Sequence, residues 1–404
     1  MTIGVFNSSQ QLATLKKPSF AQLITRLAPN GQSPLFALTS MMKTEVAVQV
    51  EHGYFSKTML FPSATSWATQ ILAATTTLDV LDTTNLLPNM IMRVDGTDEN
   101  MIINSILSLT QIQVTRGLGT VAAANIPVST KLWMVGNAFE ESSLRPGALR
   151  IDTVANTNYT QIFRNTWAIS DTMRNTMNIA GDSNVAENKQ DAATFHAADI
   201  EKALFFGQKF AGTRNGQPFR TMEGVIANTV ANAAGNITTL GATTTLTQLE
   251  AAIDPVFNQT TDPSGAGDRV IFVGGKARSV LHQIGRLNGT VQLVDGQTSF
   301  GLQFSSFKLA RGMVRIIEHP LFNAFGATST FSKMGVVVDL PTFALAYLGD
   351  RKTQHKPFNA STTGEATDNG IDATGGTLTT EVTALFRNPQ ANAVLYAFTA
   401  GAAG

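Results

Sequence analysis

Phe272-Val273-Gly274-Gly275-Lys276 is the stretch of this chain nearest to a chemical motif, two glycines and a lysine where a strand hands over to a helix. A phosphate-cradling loop also needs Gly five residues before the second glycine and Ser or Thr after the lysine. Val270 and Ala277 stand there, so the backbone cradle and the magnesium-binding hydroxyl are both missing, and the pattern predicts a tight strand-to-helix turn. Gly117-Leu118-Gly119 opens like a dinucleotide fingerprint, but residue 122 is Ala and the flanks read as strands, which predicts a glycine hairpin. Asp95-Gly96-Thr97-Asp98-Glu99 carries oxygen ligands without the alternate spacing of a calcium loop and reads as a turn. His52, His196, His282, His319 and His355 never fall within four residues of one another, so helical zinc spacing is absent. Glu140-Glu141 would point to opposite faces of a strand, which suits a contact with a basic neighbour better than an acid–base dyad. No Gly-x-Ser-x-Gly elbow occurs. The reading predicts no catalytic residue, no cofactor and no metal site.

Composition narrows the classes further. The 404 residues carry 29 basic and 29 acidic side chains, a charged share of 14% against roughly 25% in ordinary soluble domains. Apolar residues make 43%, mean hydropathy is +0.04, and no apolar run approaches the ~18 residues of a membrane helix, so no membrane partner is expected. The N-terminus lacks the basic start and apolar core of a signal peptide. There is no cysteine, which excludes disulfides, thiolate metal sites and cysteine nucleophiles. Zero net charge argues against a dedicated nucleic-acid binder and for self-association, because charge is what keeps soluble proteins apart.

The elements that would hold these residues follow from periodicity. Phe20, Leu23, Ile24 and Leu27 line one face of a short segment between Lys17-Pro18 and Pro29-Asn30-Gly31, too short for a core of its own, so its apolar face requires a partner. Val46, Val48 and Val50 alternate with polar or small residues, predicting a half-covered strand. Short strands are predicted over 78–81, 90–94, 101–106, 112–115 and 132–135, a small sandwich or barrel. Asn184 and Glu187 have capping-box spacing, and Ala193, Ala197, Ile200 and Leu204 share a face, predicting a helix of over twenty residues that stops at Gly207. Helices over 246–256 and 276–284 then alternate with strands over 269–273, 313–317 and 334–338. Residues 350–376 have almost no apolar side chain and predict a long exposed loop or hairpin tip, followed by strands over 378–386 and 393–398.

This order of elements resembles the major capsid proteins of tailed bacteriophages, with their Hong-Kong-type capsid fold. Phe20 to Thr39, with Pro29-Asn30-Gly31 and Pro34-Leu35-Phe36, is similar to the arm of the branch whose head proteins carry an inserted β domain. Val114-Thr115-Arg116-Gly117-Leu118-Gly119-Thr120 resembles the Val-Thr-Arg-Gly-x-Gly-Thr stretch of that insertion. Ala138-Phe139-Glu140-Glu141, Asn158 to Phe163 and Ala168-Ile169-Ser170 are similar to its return strand and the approach to the spine helix.

The resemblance implies an α+β chain divided into an N-terminal arm (1–45), an extended loop strand (46–70), an inserted β domain (71–139), a return strand and lead-in (140–182), the spine helix and start of the peripheral domain (183–235), an axial domain (236–320), and a peripheral domain with a long polar loop at 350–377 (321–404). It implies a virion shell protein assembled in the host cytoplasm. Its partners would be copies of itself in pentamers and hexamers, a portal, a possible scaffold or decoration protein, and packaged DNA touched non-specifically on the inner face. The expected interface residues are Phe20, Leu23, Ile24 and Leu27 on the arm, Glu140 and Glu141, and Arg351 and Lys352 at the base of the polar loop. Some relatives lose an N-terminal scaffolding segment, whereas here a short arm starts at Met1, which leaves a separate scaffold open. Lys57 and Asn388 have the residue types of a covalent crosslink, without a motif to support one. An encapsulin-like cellular shell and a phage tail adhesin stay as alternatives, though three Trp and four Tyr make a poor aromatic sugar platform.

Overall fold

The computed structural model describes residues 38–402 apart from 58–60, 68, 149, 177–183, 259–266, 289–293, 300–301, 310, 325, 327–328 and 359–371. The chain forms two compact units, Phe55–Ala155 and the remainder. The four apolar arm residues lie outside the described residues.

In the 55–155 unit, period-two alternation makes a six-stranded sheet in the order Ser63–Thr65, Lys131–Asn137, Met90–Val94, Asn100–Ser108, Gln111–Thr115, Thr77–Asp79, all neighbours antiparallel. Met90, Met92, Val94, Met101, Ile103, Ile112, Val114, Leu78 and Leu132 point inward and are buried together. Register shifts at Ile103/Ser105 and Ile106/Ser108 bend the long strand, as bulges do. The first and last strands then meet: Ser66 bridges Val80, Trp67 N–H donates to Asp79 O at 2.9 Å, and Leu81 N–H to Thr65 O at 2.9 Å. The sheet therefore closes into a small barrel, which removes its free edges. Closure draws in Ser63–Thr65, and the unit runs beyond the 71–139 that the resemblance implies.

A buried ion pair holds the barrel's loops. Arg116 grips Glu99 in fork geometry, Nε to Oε1 at 2.9 Å and Nη2 to Oε2 at 2.6 Å, and also donates to the carbonyls of Leu72 and Ala124. Glu99 accepts further from the N–H groups of Gly117 and Ala124. The arginine of the Val-Thr-Arg-Gly stretch is thus a structural clamp, and Glu99 has no capacity left for calcium.

In the other unit, a seven-stranded mixed sheet runs in the order Ile237–Thr239, Ala393–Tyr396, Gly335–Val338, Arg269–Val273, Met313–Glu318, Leu302–Lys308, Val294–Ser299. Its strand Arg269–Val273 is buried throughout: residues 270–273 are an uninterrupted apolar run, and Arg269 is buried with Asp339 as its partner. Ile271 and Val273 face the helices Leu246–Ile253 and Gly275–Asn288, while Val270 and Phe272 face Leu204 and Phe205 of the long helix Asn184–Phe206. This sheet takes strands from both sides of residue 320, so the stretches 236–320 and 321–404 share it. Chain order alone does not reveal pairings between strands this far apart in sequence.

The second sheet of this unit joins Lys43–Ala47 in parallel to Phe343–Leu348, which pairs antiparallel with Ala373–Phe386, itself flanked by Gln161–Ser170 and Gln354–Phe358. Three expectations change here. Leu38 is fully buried in the main core and Lys43–Ala47 is a sheet strand, so the chain is built into the body well before residue 45. Ala47, not the valines, faces inward, packing in a cluster with Ala344, Ala346 and Leu385; Val46 and Val48 are left exposed. The segment 350–377 carries paired strands at both ends. Its glycines hid this, since a Cβ on Gly376 would stand 2.2 Å from the His355 ring and one on Gly375 would stand 2.4 Å from that of Phe358.

Burial pushes the Glu99 carboxyl up, but Arg116 and the N–H groups of Ala124 and Gly117 outweigh it and hold the acid below the usual carboxylate range. The stability this contributes is complete above the unfolded value of about 4.3 and is lost as pH falls through the lower folded value. Glu99→Gln leaves Arg116 buried without a counter-charge and is expected to cost about 3–5 kcal/mol at neutral pH. The same variant should lose less than the wild type on acidification. Urea titrations at neutral and acid pH, followed by fluorescence of Trp67 and Trp133 in this unit, check both outcomes.

Candidate functional site

The glycine pair of the nearest motif is used for packing. Gly274 N–H donates to Met334 O at 3.1 Å, and a Cβ on Gly274 would lie 2.5 Å from the Ser332 backbone. At the start of the helix Gly275–Asn288, the Gly275 N–H is already taken by Asn323 Oδ1 at 2.6 Å. The turn that should receive a phosphate is filled by protein. Gly117 and Gly119 have φ of 67° and 93°, the left-handed values of a turn. Asp98 of the acidic turn pairs with Arg93 at 2.6 Å. Among the described residues no group of three or more His, Asp or Glu side chains is placed to hold a metal ion.

Polar side chains also gather inside, joined to partners that spacing along the chain does not reveal. His196, on the long helix, bonds Asn165 Oδ1 through Nδ1 and Thr380 Oγ1 through Nε2, each at 2.7 Å. Glu201, on the same helix, bonds His319 Nε2 at 2.7 Å amid Phe205, Phe272 and Phe322. Arg269 pairs with Asp339 at 3.1 Å and lies 5.4 Å from the centre of the Phe257 ring. Burial pushes the carboxyls of Glu201 and Asp339 up, against the pull of His319 and Arg269, and pushes His196 down. Shifts of this kind accompany catalysis when a cleft exposes the group. Here Glu201 and His319 are sealed from solvent, so no reactant reaches them and they act as joints of the fold.

The remaining singled-out residues lie apart. Glu140 and Glu141 follow the strand Lys131–Asn137 in a turn rather than lying on a strand, and both are exposed. Arg351 reaches across to Glu381 of its own chain at 2.7 Å, and Thr160 bonds the other oxygen of that carboxylate at 2.9 Å. Lys352 lies 5.9 Å from the Tyr347 ring centre. Lys57 is exposed, whereas Asn388 is buried at a 3-10 turn.

The surface also presents large apolar side chains. Leu144 keeps 92% of its area in solvent, Phe61 83%, Val48 82% and Phe55 79%. Side chains of this size left this open offer apolar area that another protein surface can cover, while Glu201–His319, Arg269–Asp339 and Glu99–Arg116 are paired inside the chain.

Comparison with known proteins supplies the family. The model of the SU10 major capsid protein family matches residues 5–399. A major capsid protein of Pseudomonas phage PaMx41 is 38% identical over 402 residues, which span 97% of this chain and 95% of that protein. The chain belongs to the SU10 major capsid protein family: it is a phage capsid protein, part of the virion, and not an enzyme. Solved structures resemble it more distantly. A chain of Microbacterium phage Oxtober96 aligns over 99% of this chain and all (100%) of its own length, at TM-score 0.48 and 9% identity. One of Mycobacterium phage Bobi covers 97% and 99%, at 0.48 and 11%. The holo-SrpI encapsulin complex of Synechococcus elongatus PCC 7942 covers 62% and 80%, at 0.42 and 9%. At these scores the likenesses add nothing to the assignment, which stands on the sequence match.

Gly274→Ala is expected to cost about 1–3 kcal/mol through overpacking against Ser332. Thermal melts of the variant should show that loss, and added nucleoside triphosphate with magnesium should leave the wild-type melt unmoved.

Proposed function

We propose that this chain builds an icosahedral shell of the Hong-Kong type, packing as pentamers and hexamers around the phage genome. The observation that carries the reading is the set of large apolar side chains held open to solvent, above all Phe55, Phe61 and Leu144, on a chain with no net charge. Heterologous contacts between identical subunits close into rings, and rings tile a shell. Individual contacts are modest, and several per subunit add by multivalency. Near-zero charge lowers the repulsion among many packed copies.

In this arrangement Phe20, Leu23, Ile24 and Leu27 dock the arm on a neighbour, Glu140 and Glu141 meet basic side chains across a boundary, and Lys352 lies near one. Arg351 contributes by holding the base of the 350–377 hairpin through Glu381. The genome touches the inner face through dispersed charges without sequence preference, a portal occupies one vertex, and assembly takes place in the host cytoplasm. A scaffold or decoration protein is compatible with the same surface.

The test is direct. Purified full-length protein should form hollow particles visible by electron microscopy, with nucleic acid inside those taken from infected cells. A cargo enzyme in place of nucleic acid would instead identify a cellular compartment. Deleting residues 1–36 spares the buried Leu38, so the truncated chain should keep its circular dichroism and melting temperature yet fail to yield shells.

A further inference from the structure

We propose that the ribbon Phe210–Thr221 docks a second copy of this chain, through that copy's turn Phe139–Leu144, with Arg214 set against Glu140 and Glu141. The proposal rests on the shell reading above.

The ribbon follows the long helix. Phe210–Arg214 and Gln217–Thr221 pair antiparallel around Asn215-Gly216, whose φ values of 52° and 73° are those of a hairpin turn matched to strand twist. Its stem is fixed: the Thr221 hydroxyl donates to Gln208 O at 2.6 Å and Gly224 N–H to Gly207 O at 2.9 Å. Beyond the stem none of the strand residues is buried, and among the described residues neither strand pairs with a third. A lone two-stranded ribbon is marginal in water, so one held out in this way gains from a covering partner.

One face shows what that partner must offer. Alternation puts Phe210, Gly212 and Arg214 on the same side as their cross-strand partners Thr221, Phe219 and Gln217. There the Phe210 ring lies over Gly212, its centroid 6.4 Å from that of Phe219, and the Arg214 guanidinium stands 6.0 Å from the Phe219 ring centre. Aromatic rings beside an arginine are the composition of interface centres. Residues 208–221 hold Lys209, Arg214 and Arg220 and no acid. Lys209 is engaged with Thr157 and Glu51, whereas among the described residues Arg214 and Arg220 have no carboxylate partner.

The complement is an exposed acidic pair flanked by apolar side chains, and the chain carries one. Glu140 and Glu141 are exposed between Phe139 and Leu144, in a turn closed by Ser143 N–H to Glu140 O at 3.2 Å. The other adjacent acidic pair, Asp98-Glu99, is occupied by Arg93 and Arg116. Charge and apolar flanks both match, so a second copy supplies what the ribbon lacks.

Charge reversal in the full chain tests this. R214E, and separately E140R with E141R, should each lower particle yield at least about tenfold, read by light scattering and electron microscopy, with protomer melting temperatures unchanged. Combining all three substitutions should restore the yield. Because the native chain has no cysteine, Gln217→Cys with Ser143→Cys should give a ladder of covalently linked chains when shells are oxidised. Wild-type yield from R214E, no rescue in the combined variant, or no ladder each overturns the proposal. These results leave the shell reading intact. Wild-type protein that never forms particles defeats that reading itself.

Discussion

The long helix Asn184–Phe206 can settle in one place because two of its buried side chains are polar and must find particular partners. His196 reaches Asn165 and Thr380 on the sheet that contains Gln161–Ser170 and Ala373–Phe386. Glu201 reaches His319, just past the strand Met313–Glu318 of the other sheet. Five residues of helix rotate a side chain by roughly 140°, so the two groups address different sheets. Sliding or turning the helix would strand both, and a buried unmatched polar group costs about 1–3 kcal/mol, more when charged. Apolar packing of Ile200, Leu204 and Phe205 supplies attraction but tolerates repacking; the polar pair supplies the register.

The barrel solves the same problem at smaller scale. Its interior is filled with Met, Ile, Val and Leu side chains that would accept several registers, and the Glu99–Arg116 clamp ties the end of one turn to the start of another. In both units, then, buried charge serves specificity of arrangement rather than reaction. This also accounts for titratable groups with shifted acidities in a protein that has no reactant to act upon.

What could be read from residue order was whatever depends on near neighbours. Met90–Val94 and Arg269–Val273 have the bounds their patterns predict, and the long helix ends at Phe206, just before Gly207. Its buried face was misjudged by one position, since Ala192 rather than Ala193 lies inside. The capping box of Thr245 with Gln248 was equally local and went unread. Pairings between distant residues were illegible. The bridge from Ser66 to Val80 that closes the barrel, and the sharing of one sheet across residue 320, depend on which edges meet in space. Glycine concealed the ends of the 350–377 hairpin, because Gly375 and Gly376 contribute no apolar side chain of their own while admitting the rings of Phe358 and His355. Spacing left the histidines open between surface and interior, because the partners that draw His196 and His319 inside include Thr380 and Glu201, 184 and 118 residues away.

Internal polar joints and an apolar exterior belong to one design constraint. A protomer that folded only by hiding its large apolar side chains would have none left for its neighbours; one that exposed them without an independent lock on its fold would lose register or aggregate. Here the lock is placed inside, in Glu201–His319, Arg269–Asp339 and Glu99–Arg116, which leaves Phe55, Phe61, Leu144 and the Phe210–Phe219 face free to face outward. Zero net charge then sets the balance between copies, since long-range repulsion is small and short-range complementarity decides which surfaces meet. On that balance, local pairs such as Arg214 against Glu140 and Glu141 matter more for choosing the contact than for its strength, and the apolar side chains around them supply the attraction.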